Sequence, residues 1–326
     1  MSFWKDRSVL VTGATGLVGS SLVPRLLEAG ARVCVLVRDW DPQSELIRSR
    51  AIEACRVVSG RLESMGDVER ALVEHDVETV FHLGAQTVVG TGYRSPYATF
   101  ESNIRGSYIL FEACRRFAGT VHRIVVASSD KAYGESAVLP YTEEMPPRGR
   151  YPYDVSKSCT DLLAKCYADT YELPIVVARC GNIYGGGDLN WSRLVPGTIR
   201  SVLAGQAPVI RSDGLYRRDY VYVADAAEAY LALAEKIELP GIRAEAFNFG
   251  PGESSTVLQV AETVLRLAGR SDLKPVIENS VRGEIRDQHL DSAKADRLLG
   301  WRPKWPLEKG LETTIAWYRE RLAGSS

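Results

Sequence analysis

The sequence predicts an α/β fold, a doubly wound parallel sheet with a smaller, mostly helical C-terminal lobe. Three observations predict it. Short, mostly apolar runs recur at 8–11, 33–37, 80–83, 124–127 and 175–178, as strands buried on both faces require. Between them, segments such as 17–29, 97–117 and 153–171 carry apolar residues at helical spacing. This strand–helix alternation gives parallel strands joined by right-handed crossovers. After Gly185-Gly186-Gly187 the pattern changes: turn residues multiply, helices shorten, and strands at 209–210 and 246–249 stand alone. The expected division is therefore 1–180 for the sheet domain and 181–326 for the lobe, with the chain crossing back to the sheet.

The first strand runs into Gly13-Ala14-Thr15-Gly16-Leu17-Val18-Gly19, which opens the first helix. Small residues there let the backbone approach a pyrophosphate, and the helix N-terminus offers free N–H groups and partial positive charge. A glycine triplet alone also suits any tight turn. Set between a strand and a helix, with a second strand at 33, it predicts the dinucleotide site of a Rossmann sheet. Gly13, Thr15, Gly16, Leu17, Val18 and Gly19 are the expected cofactor-binding residues. The second strand ends Val37-Arg38-Asp39. An acid there holds ribose hydroxyls and an arginine accommodates a 2′-phosphate, so NAD is expected with NADP left open.

The fourth run ends Ser128-Ser129-Asp130-Lys131, and a later helix begins Tyr153-Asp154-Val155-Ser156-Lys157. Tyr153 and Lys157 fall one helical turn apart. An ammonium beside a phenol favours phenolate, so Tyr153 is expected to serve as a base near neutral pH. A Tyr–Lys pair at this spacing is usually a surface pair. Behind a glycine loop and a Ser-Ser strand end, the catalytic interpretation takes precedence, with Ser128 or Ser129 hydrogen-bonded to a substrate hydroxyl.

These residues resemble those of the extended short-chain dehydrogenase/reductases of the nucleotide-sugar epimerase/dehydratase group. The likeness covers nearly the whole chain, through residues 81–86, Asn103, 179–185, 218–223 and 299–303. Within the group, enzymes that only invert C4 tend to carry small residues after the catalytic serine. Dehydratases carry Asp-Glu there, or Asp-Lys in the CDP-glucose 4,6-dehydratase branch, and this chain has Asp130-Lys131. The resemblance implies transient oxidation at C4, with Lys131 as base at C5 and Asp130 as acid for the departing C6 hydroxyl. Ser129, Tyr153 and Lys157 complete the catalytic set. The product is an NDP-4-keto-6-deoxyhexose. It also implies that Leu62, Leu83 and Ala85 line the cofactor. Gln86, Ser128, Asn182, Arg193, Arg211, Arg218 and Arg282 are the implied substrate-binding residues, and two long helices are implied to pair into a homodimer.

Two alternatives stay open: a 4-epimerase using the same tyrosine and cofactor, and a non-catalytic NAD(P)-sensing protein. Arg61 stands where an acid commonly touches adenine, the strand-end acid is displaced to Asp39, and residues 213–218 lack expected prolines. The nucleotide and the hexose therefore remain open.

Composition is that of an ordinary globular chain, 45% hydrophobic and 25% charged over 326 residues. A formal net charge of −1 argues against nucleic acid or an anionic membrane as partner. No apolar run reaches membrane-spanning length and no signal-peptide core is evident, so a cytoplasmic location is expected. The six cysteines show no CxxC spacing and are expected to be buried free thiols, with no metal site. His82 is expected to be structural, and Trp301 and Trp305 to be packing residues.

Overall fold

The computed structural model describes residues 2–280 and 283–323. Its centre is a parallel sheet of seven strands: β1 (Ser8–Thr12), β2 (Arg32–Val37), β3 (Arg56–Ser59), β4 (Thr79–His82), β5 (Arg123–Ser129), β6 (Ile175–Cys180) and β7 (Ala246–Phe249). The spatial order is β3-β2-β1-β4-β5-β6-β7. Order reverses between β1 and β4, and an open sheet of this kind binds ligands at that switch point, beyond the carboxyl ends of the strands.

Alternation along each strand explains why both faces are covered. Val9, Val11, Val33, Val35 and Val37 face one core. There they meet Leu22, Val23 and Leu26 of α1 (Leu17–Glu28), with Tyr230 and Leu233 of α6 (Val223–Lys236). Leu10, Cys34, Leu36, Ile124 and Val126 face the other, because side chains of a strand point to opposite sides in turn. Helices α2 (Met65–Val73), α3 (Gly106–Arg116) and α4 (Pro152–Tyr171) cover that side.

The predicted helix 97–117 is not uniform. A π-helical turn, Glu101–Arg105, separates Pro96–Phe100 from α3 and buries Ser102 and Asn103. The C-terminal lobe has its own core, where Ile199 of α5 (Leu194–Leu203), Val264 of α7 (Val257–Leu267) and Ile315 of α8 (Leu307–Ala323) meet. Three short ribbons supplement its helices. α6 and β7 return to the sheet, with Ala246 opposite Val177.

Two expectations about side chains separate here. Cys34, Cys114 and Cys180 are buried, but Cys55 and Cys159 are half-buried and Cys166 is exposed, because it lies on the solvent side of α4. All six are free thiols. Trp301 is buried with its indole donating to Asp225 O at 3.1 Å, and Trp305 packs on Tyr222 with ring centroids 4.4 Å apart. No helix among the described residues is long and apolar enough to cross a membrane.

Candidate active site

A cleft of about 1360 Å³ opens over the carboxyl ends of the strands, between the sheet and the C-terminal lobe. Its cofactor end is built from the glycine loop. Gly13 has φ +69, and a Cβ there would meet Gly84 N at 2.7 Å. A Cβ on Gly19 would lie 2.5 Å from Ala14 Cα, so α1 sits against the loop only because that position is bare. Gly16 differs: its added Cβ would meet only Gly13 O, at 3.3 Å, and otherwise would stand in the cleft. Bare backbone at a helix N-terminus, facing open space, fits a pyrophosphate.

Thr15, Leu17, Val18, Leu62, Leu83 and Ala85 share that wall with Arg38 and Asp39. Arg38 Nε donates to Asp39 Oδ2 at 2.5 Å, so its positive charge is already paired. This arrangement suits the uncharged ribose diol of NAD better than an added phosphate. His82 is buried, 2.9 Å through Nδ1 from Thr12 Oγ1 and 3.0 Å through Nε2 from Ser107 Oγ. Burial, aided by Lys157, pushes its pKa down to about 3, so it is a neutral structural brace.

The loop after β4 is tied to the catalytic helix by Asn103. Its Oδ1 accepts from Gln86 N at 2.7 Å, while its Nδ2 donates to Gln86 O at 3.0 Å and to Ser156 Oγ at 2.9 Å. Gln86 itself corrects the expectation of a substrate contact. Its side-chain amide donates to Val88 O and Thr99 Oγ1, at 3.1 and 3.2 Å, and accepts from Val88 N. Its polar atoms fold the loop instead of facing the cleft.

At the end of β5 the chain enters a single 3-10 turn, Asp130–Tyr133, capped by Ser129, whose Oγ accepts from Lys131 N at 3.3 Å. Ser129 Oγ donates to Asp130 Oδ1 at 2.8 Å. Asp130 is buried, and its Oδ2 and the Ser128 hydroxyl have no hydrogen-bond partner among the described residues. Ser128, Ser129, Asp130 and Lys131 all line the cleft, together with Tyr153 and Lys157 of α4. Lys131 Nζ donates to Gln288 Oε1 at 3.1 Å. Lys157 Nζ donates to Ala127 O at 2.8 Å and lies 6.0 Å from the centroid of the Tyr153 ring.

The electrostatics correct one expectation. Burial is the dominant influence on Tyr153 and pushes its phenol up rather than down; Arg193 and a hydrogen bond with Ser129 oppose it. Burial likewise pushes Lys157 down to about 8. The adjacent Asp154 is pushed up to about 6, mainly by burial, against the pull of Lys131. Behind the floor of the cleft, buried Asp219 is raised by burial and by the negative charge of Asp130.

The far end of the cleft carries the remaining predicted residues in varied states. Asn182 lines it and donates to Asp219 O at 3.3 Å. Arg193 lines it too, with Nη1 paired to Asp188 Oδ2 at 2.8 Å. Arg211 is exposed and donates to Ser192 O at 2.9 Å. Arg218 is buried on the wall, its guanidinium donating to Arg217 O at 2.8 Å, Arg286 O at 2.6 Å and Ile285 O. Arg282 lies outside the described residues. Sequence reasoning did not single out Asp188, Tyr220, Glu278 or Glu284 on this wall, although Tyr220 lies within the 218–223 run and Asp188 just past 179–185; Glu278 and Glu284 belong to no recognisable spacing. It also missed Gln288, a single amide in a loop.

Comparison with known proteins places this geometry. A model of the NAD dependent epimerase/dehydratase family matches residues 9–250. The CDP-glucose 4,6-dehydratase of Salmonella typhimurium is 29% identical, over 99% of this chain and 93% of that protein. Among solved structures, a UDP-glucose 4-epimerase from Thermotoga maritima superposes with TM-score 0.88 at 33% identity, covering 97% of this chain and 99% of that one. A dTDP-glucose 4,6-dehydratase from Streptomyces venezuelae, crystallised with NAD, gives TM-score 0.87 at 28% identity, covering 97% and 98%.

Proposed function

This chain belongs to the NAD dependent epimerase/dehydratase family, and from that premise we propose that it is a nucleotide-sugar 4,6-dehydratase converting an NDP-hexose to an NDP-4-keto-6-deoxyhexose. The observation that carries this reading is the Asp130-Lys131 pair on the cleft wall beside Ser129. Simple inversion at C4 has no use for a second acid and base.

Gly13, Gly16, Gly19 and Asp39 would hold NAD, which would supply the hydride acceptor for oxidation at C4 and the hydride donor for the return to C6. Tyr153 takes the proton of the C4 hydroxyl, with Ser129 hydrogen-bonded to the same oxygen. Because burial opposes the anionic phenol, the Arg193 charge and the Ser129 hydrogen bond are what favour it, with the Lys157 ammonium 6.0 Å from the ring centroid. The C4 ketone acidifies the C5 proton, which Lys131 removes as a neutral amine. Asp130, as the neutral acid, protonates the C6 hydroxyl as it leaves as water. Lys131 returns its proton to C5 when C6 receives hydride. The proton that Tyr153 took from O4 replaces the one Asp130 gave up, and Ser129, hydrogen-bonded to both residues, gives it a route.

Asn182, Arg193, Arg211 and Arg218 surround the diphosphate end, where arginine forks suit phosphate oxygens. The test is mass spectrometry of the protein incubated with NAD and CDP-, GDP-, UDP- and dTDP-hexoses. A product lighter by one water supports the dehydratase. An isomer of unchanged mass supports the second reading, a 4-epimerase, which the likeness to the Thermotoga maritima enzyme favours.

We also propose a homodimer. Tyr97, Tyr108 and Leu162, exposed on the two long helical segments, offer a face for a second copy. A monomer mass by light scattering at micromolar concentration would refute it.

A further inference from the structure

Lys131 is not oriented by its own turn. Its ammonium donates to Gln288, 157 positions along the chain and on the opposite lobe, through Oε1 at 3.1 Å. Gln288 is completely buried. Its amide nitrogen is left short of a full hydrogen bond, near the Tyr141 hydroxyl. A buried amide with an unsatisfied end is costly, so its position reflects a demand other than packing.

The segment that carries it is fixed on both sides. Gln288 N donates to Arg217 O at 3.0 Å, and Leu290 N donates to Asp219 Oδ2 at 3.1 Å. Tyr141 N donates to His289 O at 2.9 Å, and Asp291 N to Tyr141 O at 2.9 Å. Arg218 clamps the carbonyls of Ile285 and Arg286. The amide oxygen thus arrives on a strap with little freedom, whereas a lysine has four rotatable bonds.

We propose that Gln288 is a positioning residue that aims the Lys131 amine at the substrate carbon it deprotonates; this rests on the dehydratase reading above. An amide suits the task because it accepts a hydrogen bond from the lysine without carrying charge, and so leaves the amine free to lose its proton. A carboxylate in the same place holds the ammonium form. Asp130 on its own turn and Asp154 on α4 already stand near Lys131, and an amide on the strap adds no further negative charge beside the amine.

The test uses full-length NAD-loaded protein, CDP-D-glucose as first probe, and two variants of matched shape, Gln288→Met and Gln288→Glu. Both are checked for wild-type thermal unfolding. Gln288→Met is expected to slow water loss about tenfold to a hundredfold, the effect of misplacing a catalytic group by about 1 Å. KM and the absorbance change of C4 oxidation stay at wild-type levels. Gln288→Glu is expected to keep more of the rate, with the rising limb of its pH profile moved up by about one unit.

A second measurement needs no turnover: 13C NMR of the lysine side chains, with the Lys131 resonance assigned by Lys131→Met. Gln288→Glu is expected to move the Lys131 titration to higher pH. Unchanged titration in Gln288→Glu, or wild-type water loss in Gln288→Met, overturns the proposal. If Lys131→Met itself loses water at the wild-type rate, the dehydratase role of Lys131 fails, and the titration alone then judges the Gln288 contact.

Discussion

Replacing Gly16 or Gly19 by alanine separates two functions of the glycine loop. At Gly19 the new methyl would lie 2.5 Å from Ala14 Cα and 2.7 Å from Ala14 C, where ordinary contacts begin near 3.4 Å. Those are backbone atoms, so α1 must shift by about 1 Å. Overpacking of this kind costs about 1–3 kcal/mol, of which alanine's better helix propensity returns up to about 1 kcal/mol. The NAD-free protein should therefore unfold a few degrees lower.

At Gly16 the backbone, φ −79 and ψ 177, is one that alanine adopts readily, and the nearest atom is Gly13 O at 3.3 Å. NAD-free Gly16→Ala should unfold within about a degree of wild type. NAD binding should suffer in both variants, since losing one charge-assisted hydrogen bond to the pyrophosphate costs about 1.5–3 kcal/mol. That is a Kd roughly tenfold to a hundredfold weaker. Differential scanning fluorimetry on stripped protein and calorimetric titration with NAD read the two effects separately. Wild-type NAD affinity in Gly16→Ala would refute the placement of the pyrophosphate against that backbone.

Other substitutions probe the chemistry. Lys131→Met should abolish water loss while the substrate C4–H bond is still oxidised, measured as reduced cofactor accumulating in a single turnover. Lys157 has a folded pKa of about 8 against an ordinary 10.5, so its buried charge costs stability below pH 8. That cost is relieved as pH rises from about 8 towards 10.5, because over this window the unfolded chain binds the proton more tightly. Chemical denaturation of Lys157→Met should show the variant more stable than wild type at pH 7, with the gap closing above pH 8. Arg193→Ala should raise KM for the nucleotide sugar about tenfold or more, as removal of a ground-state contact predicts, and should also lower kcat, because the Arg193 charge favours the Tyr153 phenolate. A lower kcat with KM unchanged would refute the contact between Arg193 and the nucleotide sugar.

Much of this was legible because local pattern and final structure agree. The strands at 8–12 and 32–37 are apolar on both faces, and a strand covered on both faces has little choice of environment. That the glycine loop, Ser129, Tyr153 and Lys157 share one cleft was readable for the same reason: each sits at a fixed offset from a strong strand or helix. Where the outcome depends on distant partners, the sequence is silent. Nothing around Gln86 marks whether an amide faces a ligand or its own loop. Nothing around residue 288 signals that its side chain meets Lys131. The direction of the Tyr153 shift was misjudged because spacing reveals a neighbouring charge but not the depth of burial. The π-helical turn at Glu101–Arg105 has no distinct period in so short a stretch.

That turn has a consequence for how such enzymes diversify. By burying Asn103, it ties the loop after β4 to Ser156 under the helix that carries Tyr153 and Lys157. The redox half of the site is thus one cross-braced block that tolerates little change. Residues 130–133 form a single short turn held to the same helix through its backbone, where Ser158 Oγ donates to Ala132 O at 2.8 Å. The side chains at 130 and 131 can therefore change while the backbone that carries them, and the brace beneath it, stay in place.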